Sequence, residues 1–400
     1  MDQPRLLRRL EEEMAERIAA VEAHNIVTAL GLNTSSNYAA AREGRTALQY
    51  YSGQWGTGTP FVASLVNREE VLTACLQEDI TGPYTFFEKM AILSMKKALQ
   101  ECHVDMTSMK TLLILSTTKG NVDMLRENIE GLPTERELLG EAAQVIASYF
   151  GMKSQPIVVS NACISGACAQ IEASRMIATG CYDHVVVCGV DVLSPFIVSG
   201  FQSLQALSDQ PCRPFDEDRT GINLGDAAAT IVFHAESMDQ LKPGTWYIAQ
   251  GAIRNDAFHI TNPSRTGEGC YKALSYIMED ATAEELAFVN AHGTATLFND
   301  EMESVALSRA GLDQVPVNSL KGIFGHTMGA AGVLETIISM QAANEGIVLG
   351  TKGYRNLGVS RSINVDANNG TTHKQAFVKM MSGFGGCNAA ILFRKNEEHC

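Results

Sequence analysis

Short apolar runs separated by longer stretches of helical spacing constrain this chain more than any other feature. Thr111-Leu112-Leu113-Ile114-Leu115, Pro156-Ile157-Val158-Val159 and His184-Val185-Val186-Val187-Cys188-Gly189-Val190 read as strands, and stretches near 86–101, 137–150 and 167–180 read as helices. Strands apolar on both faces, alternating with helices, describe an α/β protein whose sheets are covered on both sides. Arg17 to Ala23 reads as a first strand and Thr230-Ile231-Val232-Phe233 as another. The second part of the chain repeats the theme. Phe288-Val289-Asn290 and Val315-Pro316-Val317-Asn318 precede helices at about 299–310 and 328–344. Lys379-Met380-Met381-Ser382 and Ala389-Ala390-Ile391-Leu392-Phe393 read as a closing hairpin around a glycine loop.

One internal match suggests that the repetition is a duplication. Cys163-Ile164-Ser165-Gly166-Ala167 aligns with His326-Thr327-Met328-Gly329-Ala330. Each segment follows a short strand and opens a helix that ends at a glycine, Gly180 or Gly346. Two βαβ-rich halves packed back to back would bring these helix starts toward one centre. The expected division is an N-terminal extension over 1–15, a first half over 16–240 carrying a nucleophile, and a second half over 241–400 carrying two histidines.

Composition narrows the setting. The 400 residues are 45% hydrophobic and 19% charged, as in a globular protein. A net charge of −14 disfavours nucleic acid as a general partner. No apolar run approaches the ~18 residues that span a bilayer. Glu11-Glu12-Glu13 follows a short start with no apolar core, so a secretory signal is not expected and the cytoplasm is. None of the ten cysteines forms a Cys-x-x-Cys pair, which argues against a structural zinc.

The chemistry is expected around Cys163. Val158-Val159-Ser160-Asn161-Ala162-Cys163 is an apolar run ending at a thiol, and a helix follows. Unpaired N–H groups and the positive end of a helix dipole at that place favour thiolate and hence a nucleophile. His292, in Asn290-Ala291-His292-Gly293-Thr294-Ala295-Thr296, and His326, in Gly325-His326-Thr327-Met328-Gly329, each lie just past a strand among glycines. Loops at strand ends carry function on such scaffolds. The glycines of Ser382-Gly383-Phe384-Gly385-Gly386-Cys387-Asn388 suit a tight loop whose N–H groups could face an oxyanion.

Taken in order, these motifs and the block Arg213-Pro214-Phe215-Asp216-Glu217-Asp218-Arg219-Thr220-Gly221 resemble a β-ketoacyl-[acyl carrier protein] synthase, a condensing enzyme of the thiolase superfamily. The resemblance runs from about Asn25 to Lys395 and is nearest the elongating type with a Cys-His-His site. It implies a thiolase-like fold of two βαβαβαββ halves in five layers (αβαβα). The implied reaction is decarboxylative condensation of an acyl thioester with malonyl-[acyl carrier protein]. Cys163 would take the acyl group, while His292 and His326 promote loss of CO₂. The N–H groups of Cys163 and Phe384 would form the oxyanion hole. Lys321 and Glu335 match a buried pair supporting the histidines, and Asp300 and Glu303 match a second acidic pair of that network. Thr294 and Thr296 match residues contacting the phosphopantetheine arm; Phe201, Phe384 and Gly385 complete the substrate-binding set. No cofactor or metal is implied beyond the phosphopantetheine that the acyl carrier protein brings. The partners are that carrier and a second copy of the chain in a homodimer, with a heterodimer open. Arg68, Lys119, Arg213 and Arg219 are candidates for docking the carrier. Cys387 departs from the family's Thr or Ser and reads as an isosteric replacement. A catalytically silent chain-length partner and a thiolase-like acyltransferase remain as alternatives.

Overall fold

The computed structural model describes residues 17–125 and 132–397; the expected extension over 1–15 lies outside them. Ten strands and a short extra one build the main sheet. From the first half come β1 (Arg17–Val27), β2 (Thr111–Ser116), β3 (Ile157–Val159), β4 (His184–Asp191) and β5 (Ala227–Ser237). From the second come β6 (Trp246–Asn255), β7 (Leu286–Asn290), β8 (Pro316–Asn318), β9 (Asn364–Val365), β10 (Ala376–Gly383) and β11 (Cys387–Lys395). Their order is β9-β8-β7-β10-β11-β6-β1-β5-β4-β2-β3. Within the sheet, the two halves are joined at the paired residues Ala20 and Tyr247.

Reading outward from that seam reveals the repeat. One side runs β1, β5, β4, β2, β3 and the other β6, β11, β10, β7, β8, with the same order along the chain. On each side the first two junctions are antiparallel and the last two parallel. The hairpin expected near 379–393 is the β10–β11 pair, with Gly383 opposite Cys387. Strand β1 runs four residues past the expected Ala23, because Ile26 and Val27 continue the buried ladder against β5.

The helices that cover the sheet or border the site include α1 (Phe86–Leu99), α2 (Leu139–Tyr149), α3 (Ser165–Ala178), α4 (Pro195–Ser203), α5 (Glu268–Ile277), α6 (Leu297–Arg309) and α7 (Ala331–Asn344). Burial sorts them into layers. Ile171 and Ile177 of α3 and Val333, Leu334 and Ile337 of α7 share one core with Val185, Ile231, Phe377 and Ile391, which come from both halves of the sheet. The opposite face of the first half, carrying Leu113, Leu115 and Val186, is covered by Phe87 and Met90 of α1 and Ile146 of α2. Leu274 of α5 and Leu307 of α6 cover Val289 and Val378 of the second. Thus Val185 and Val186, adjacent in β4, face different layers, the period of two that a pleated strand imposes. The outcome is the thiolase-like αβαβα stack.

The central layer explains the small residues of the internal match. A Cβ on Gly166 would lie 2.9 Å from the Gly329 carbonyl oxygen, and one on Gly332 would lie 2.5 Å from the Ala167 nitrogen. The starts of α3 and α7 therefore touch backbone to backbone. Helix α7 is apolar nearly all round because protein surrounds it. Among the described residues no helix is long and apolar enough to cross a membrane.

Candidate active site

Three chain turns converge where α3 and α7 begin. After β3 the backbone turns sharply, and Ala162 takes a left-handed conformation (φ 44°). The Ser165 hydroxyl fixes this elbow by accepting the Asn161 N–H at 2.8 Å and donating to the Ala162 carbonyl at 2.6 Å. Cys163 sits just ahead of α3, whose cap is Ile164. The second turn presents His326 after Gly325, at φ 70° and ψ −179°, a conformation essentially confined to glycine. A Cβ there would also lie 2.4 Å from the Leu224 carbonyl oxygen. The third turn follows β7 and carries His292, with Gly293 again left-handed at φ 45°.

Ligand atoms of Cys163, His292 and His326 all lie within 4.8 Å of one another, and all three residues are buried. The imidazole rings are 4.9 Å apart and nearly perpendicular. The Met328 N–H donates to His326 Nδ1 at 3.3 Å, so the neutral ring carries its proton on Nε2, which has no hydrogen-bond partner among the described residues. Burial lowers both histidines well below the ordinary imidazole value, and Lys321 and Lys379 push in the same direction, with His326 also acting on His292. The site thus holds two neutral imidazoles.

The thiol differs from the sequence expectation of a favoured thiolate. Burial pushes the Cys163 thiol up to about 12, reinforced by Cys387 and opposed by Lys321, the Phe384 N–H and Lys119. Desolvation of the anion outweighs the local positive groups, so the resting form is the thiol.

A buried ionic group lies beneath the histidines. Glu335 of α7 receives Lys321 on one carboxylate oxygen and Lys379 of β10 on the other, the latter at 2.6 Å. Burial opposes the Glu335 charge, but the two ammonium groups hold the carboxyl below its ordinary value. Asp300 and Glu303 form a separate backbone clamp. Glu303 accepts the N–H groups of His292 and Gly293, both at 2.7 Å. Asp300 accepts those of Thr294 at 3.0 Å and Phe215 at 2.7 Å. Burial raises Asp300 to about 6 and, with Asp300 beside it, Glu303 to about 7.

A cavity of about 400 Å³ opens onto Cys163, His292 and His326, and Phe201, Thr294, Thr296 and Phe384 also line it. The Thr294 and Thr296 hydroxyls are 2.9 Å apart. The Phe201 and Phe384 rings pack 5.9 Å apart. Gly385 is not on this wall; its N–H donates to the Ile260 carbonyl at 2.7 Å because the loop turns away there. Lys321 is fully buried behind the wall and touches Glu335, so it supports the site without reaching the cavity. Arg219, a docking candidate, is buried and donates inward to the Asp216 carbonyl at 2.9 Å and the Gly358 carbonyl at 2.5 Å. The Cys387 thiol donates to the Phe384 carbonyl at 3.3 Å and lies behind the cavity wall.

Two residues of this region escape motif reading. Lys379 is one, and its only signal is a lysine inside the apolar run Ala376–Met381. Asp191 is the other. It ends β4 and accepts the Thr118 N–H at 2.9 Å and the Gly329 N–H at 2.7 Å, tying the histidine turn to the first half. As for metals, Cys-His-His is a donor set that zinc uses, but the group beneath it carries two ammoniums against one carboxylate.

Comparison with known proteins agrees with this geometry. Residues 85–238 match the model of the beta-ketoacyl synthase N-terminal domain and 247–355 that of the C-terminal domain, together well over half of the chain. The chain is 35% identical over 267 residues to 3-oxoacyl-[acyl-carrier-protein] synthase 2 of Vibrio cholerae serotype O1, covering 61% of this chain and 63% of that relative's own length. It is 27% identical over 347 residues to a putative mitochondrial 3-oxoacyl-[acyl-carrier-protein] synthase of Schizosaccharomyces pombe, covering 77% and 81%. The fold matches a ketosynthase from Xenorhabdus doucetiae, solved in complex with its chain length factor, with a TM-score of 0.81 at 21% identity over 96% of this chain and 98% of that one. The chain belongs to the beta-ketoacyl synthase family of condensing enzymes.

Proposed function

We propose that the protein is a 3-oxoacyl-[acyl carrier protein] synthase, an acyltransferase that joins an acyl group held on Cys163 to a two-carbon unit from malonyl-[acyl carrier protein]. The observation that carries this reading is the convergence of one thiol and two neutral imidazoles within 4.8 Å at the floor of a cavity.

The first half-reaction moves an acyl group from the carrier's phosphopantetheine sulfur to Cys163. The thiol begins protonated, so a neighbouring neutral imidazole takes the proton as sulfur attacks and returns it to the departing carrier thiol. The tetrahedral oxyanion falls to the Cys163 and Phe384 N–H groups. In the second half-reaction the malonyl thioester loses CO₂ and leaves an enolate. Its oxygen accepts N–H donation from His292 and His326. Neutral imidazoles suit this task, since each donates without gaining a charge in a water-poor site. The enolate carbon then attacks the acyl carbonyl on Cys163, giving the 3-oxoacyl thioester and freeing the thiolate, which takes up one proton from solvent. Thr294 and Thr296 present hydroxyls to the phosphopantetheine arm, and Phe201 borders the acyl chain.

The acyl carrier protein is the partner this chemistry needs, and a homodimer is the proposed assembly. Strand β3 supports the latter, as among the described residues it ends the sheet with one neighbour and is half-buried. The cytoplasm is the proposed compartment. The acyl donor's length and the pathway, fatty acid or polyketide, stay open to a panel of acyl-carrier substrates. The test is intact-mass detection of an acyl adduct on Cys163, followed by release of CO₂ and a 3-oxoacyl product when malonyl-[acyl carrier protein] is added. A protein that takes no adduct would instead be a silent chain-length partner. One that acylates but never releases CO₂ would be a thiolase-like acyltransferase.

A further inference from the structure

Lys379 and Lys321 are the two fully buried lysines among the described residues. Lys379 sits in the middle of β10, between Val378 and Met380, which belong to the core. A buried lysine is costly unless something demands it. Glu335 alone does not demand it, because Lys321 already neutralises that carboxylate. Lys379 adds a second ammonium on the other oxygen and leaves the group with one net positive charge. Its Nζ also points at the carbonyls of Asn290 at 3.5 Å and Ala291 at 3.4 Å, the two residues that lead into His292.

We propose that Lys379 is a positioning residue for the decarboxylation step: it anchors the backbone that presents His292 and adds a second positive charge beneath the histidines that favours the enolate. The proposal rests on the condensing function argued above. The groups around it are Glu335 on α7, Lys321 on the short helix Lys321–Phe324, Glu303 on α6, and His292 and His326 on their turns. Glu335 and Glu303 favour its ammonium form and Lys321 opposes it. Burial outweighs them and pushes Lys379 down to about 8. Cys163, by contrast, feels Lys321 and Lys119. The two half-reactions should therefore separate.

The experiment compares the full-length wild type with Lys379→Met, which keeps length and removes charge, and Lys379→Arg, which keeps charge. Malonyl-[acyl carrier protein] decarboxylation and acylation of Cys163 are followed separately as a function of pH. In Lys379→Met the kcat for CO₂ release should fall on the order of 10-fold or more with KM changed by less than about threefold. The Cys163 acylation rate should fall less than CO₂ release, because acylation draws on one imidazole as base and its oxyanion rests on backbone N–H groups rather than on the histidines. The acid limb should move up by roughly one pH unit, since losing a positive neighbour lets the histidines hold protons at higher pH. The wild type should lose decarboxylation as pH rises through about 8, where Lys379 loses its proton, and Lys379→Arg should lack that alkaline limb. A folded Lys379→Met with wild-type kcat and profile would overturn the proposal. Should that variant not fold, a wild-type profile flat to about pH 9.5 would overturn it equally. A wild type that releases no CO₂ at any pH would sink the functional reading itself, a distinguishable result.

Discussion

The turn that presents Cys163 and the turn that presents His326 occupy equivalent places in the two halves, yet they are built differently. Both precede a central helix, and those helices touch at Gly166 and Gly332. The cysteine turn contains a strained alanine, Ala162, braced by one serine hydroxyl. The histidine turn uses Gly325 in a conformation an alanine would hardly adopt, and Asp191 from the other half fastens it. The charges are also unequal. Lys321, Glu335, Lys379, Asp300 and Glu303 all belong to the second half. On the proposed function, the duplicated scaffold thus gives one copy the nucleophile and the other the electrostatics. Separate copies let a neutral thiol and a charged platform be tuned without sharing a backbone segment.

The hardest test of this division is to remove each partner alone. Cys163→Ala should abolish condensation, by about 10⁴-fold or more, while leaving malonyl decarboxylation measurable. Retained condensation would refute the nucleophile. His292→Ala and His326→Ala should do the reverse. Each should cut CO₂ release on the order of 100-fold while acylation of Cys163 suffers less. Equal losses in both steps would mean that the halves are not separable.

The turns themselves differ in tolerance. Gly325→Ala should destabilise by about 2–4 kcal/mol, from a disfavoured backbone and the contact with the Leu224 carbonyl, read as a lowered denaturant midpoint. Ala162→Gly should shift stability by less than about 1 kcal/mol, because relief of the left-handed alanine offsets the added chain entropy. Similar losses at both would erase the contrast.

The thiol offers a pH test. Burial keeps Cys163 protonated with its value pushed up to about 12. Its alkylation by iodoacetamide should accelerate about tenfold per pH unit from 7 to 9 without levelling off. A plateau near pH 7 would restore the thiolate expected from the helix start. The smallest effect belongs to Cys387→Thr. A threonine hydroxyl would inherit the donation to the Phe384 carbonyl, so condensation should change by less than about threefold. A loss beyond about 100-fold, or 2.7 kcal/mol of barrier, would give that thiol a role.

Much of this was legible in the chain itself. Alternating strands and helices, the Cys163–Ala167 and His326–Ala330 match, and the glycines around both histidines follow from local propensity and spacing, which act over a few residues. The block Arg213–Gly221 was visible as a motif, but its work was not. Asp216 in it accepts the N–H groups of Arg355 and Asn356, and Arg219 is buried, donates to the Asp216 and Gly358 carbonyls and lines the cavity. The helix start that favours a thiolate at Cys163 is a local feature, whereas the burial that keeps it a thiol is not. Lys379 and Asp191 look like ordinary strand residues until their partners arrive from far along the chain.

Amino-acid order alone therefore determined the layered α/β class, the repeat and the three candidate side chains of the site, since each is written in short stretches. Only the tertiary structure decided their protonation and the ionic platform beneath them. Those depend on water being excluded and on charges from distant segments meeting, which no local pattern encodes.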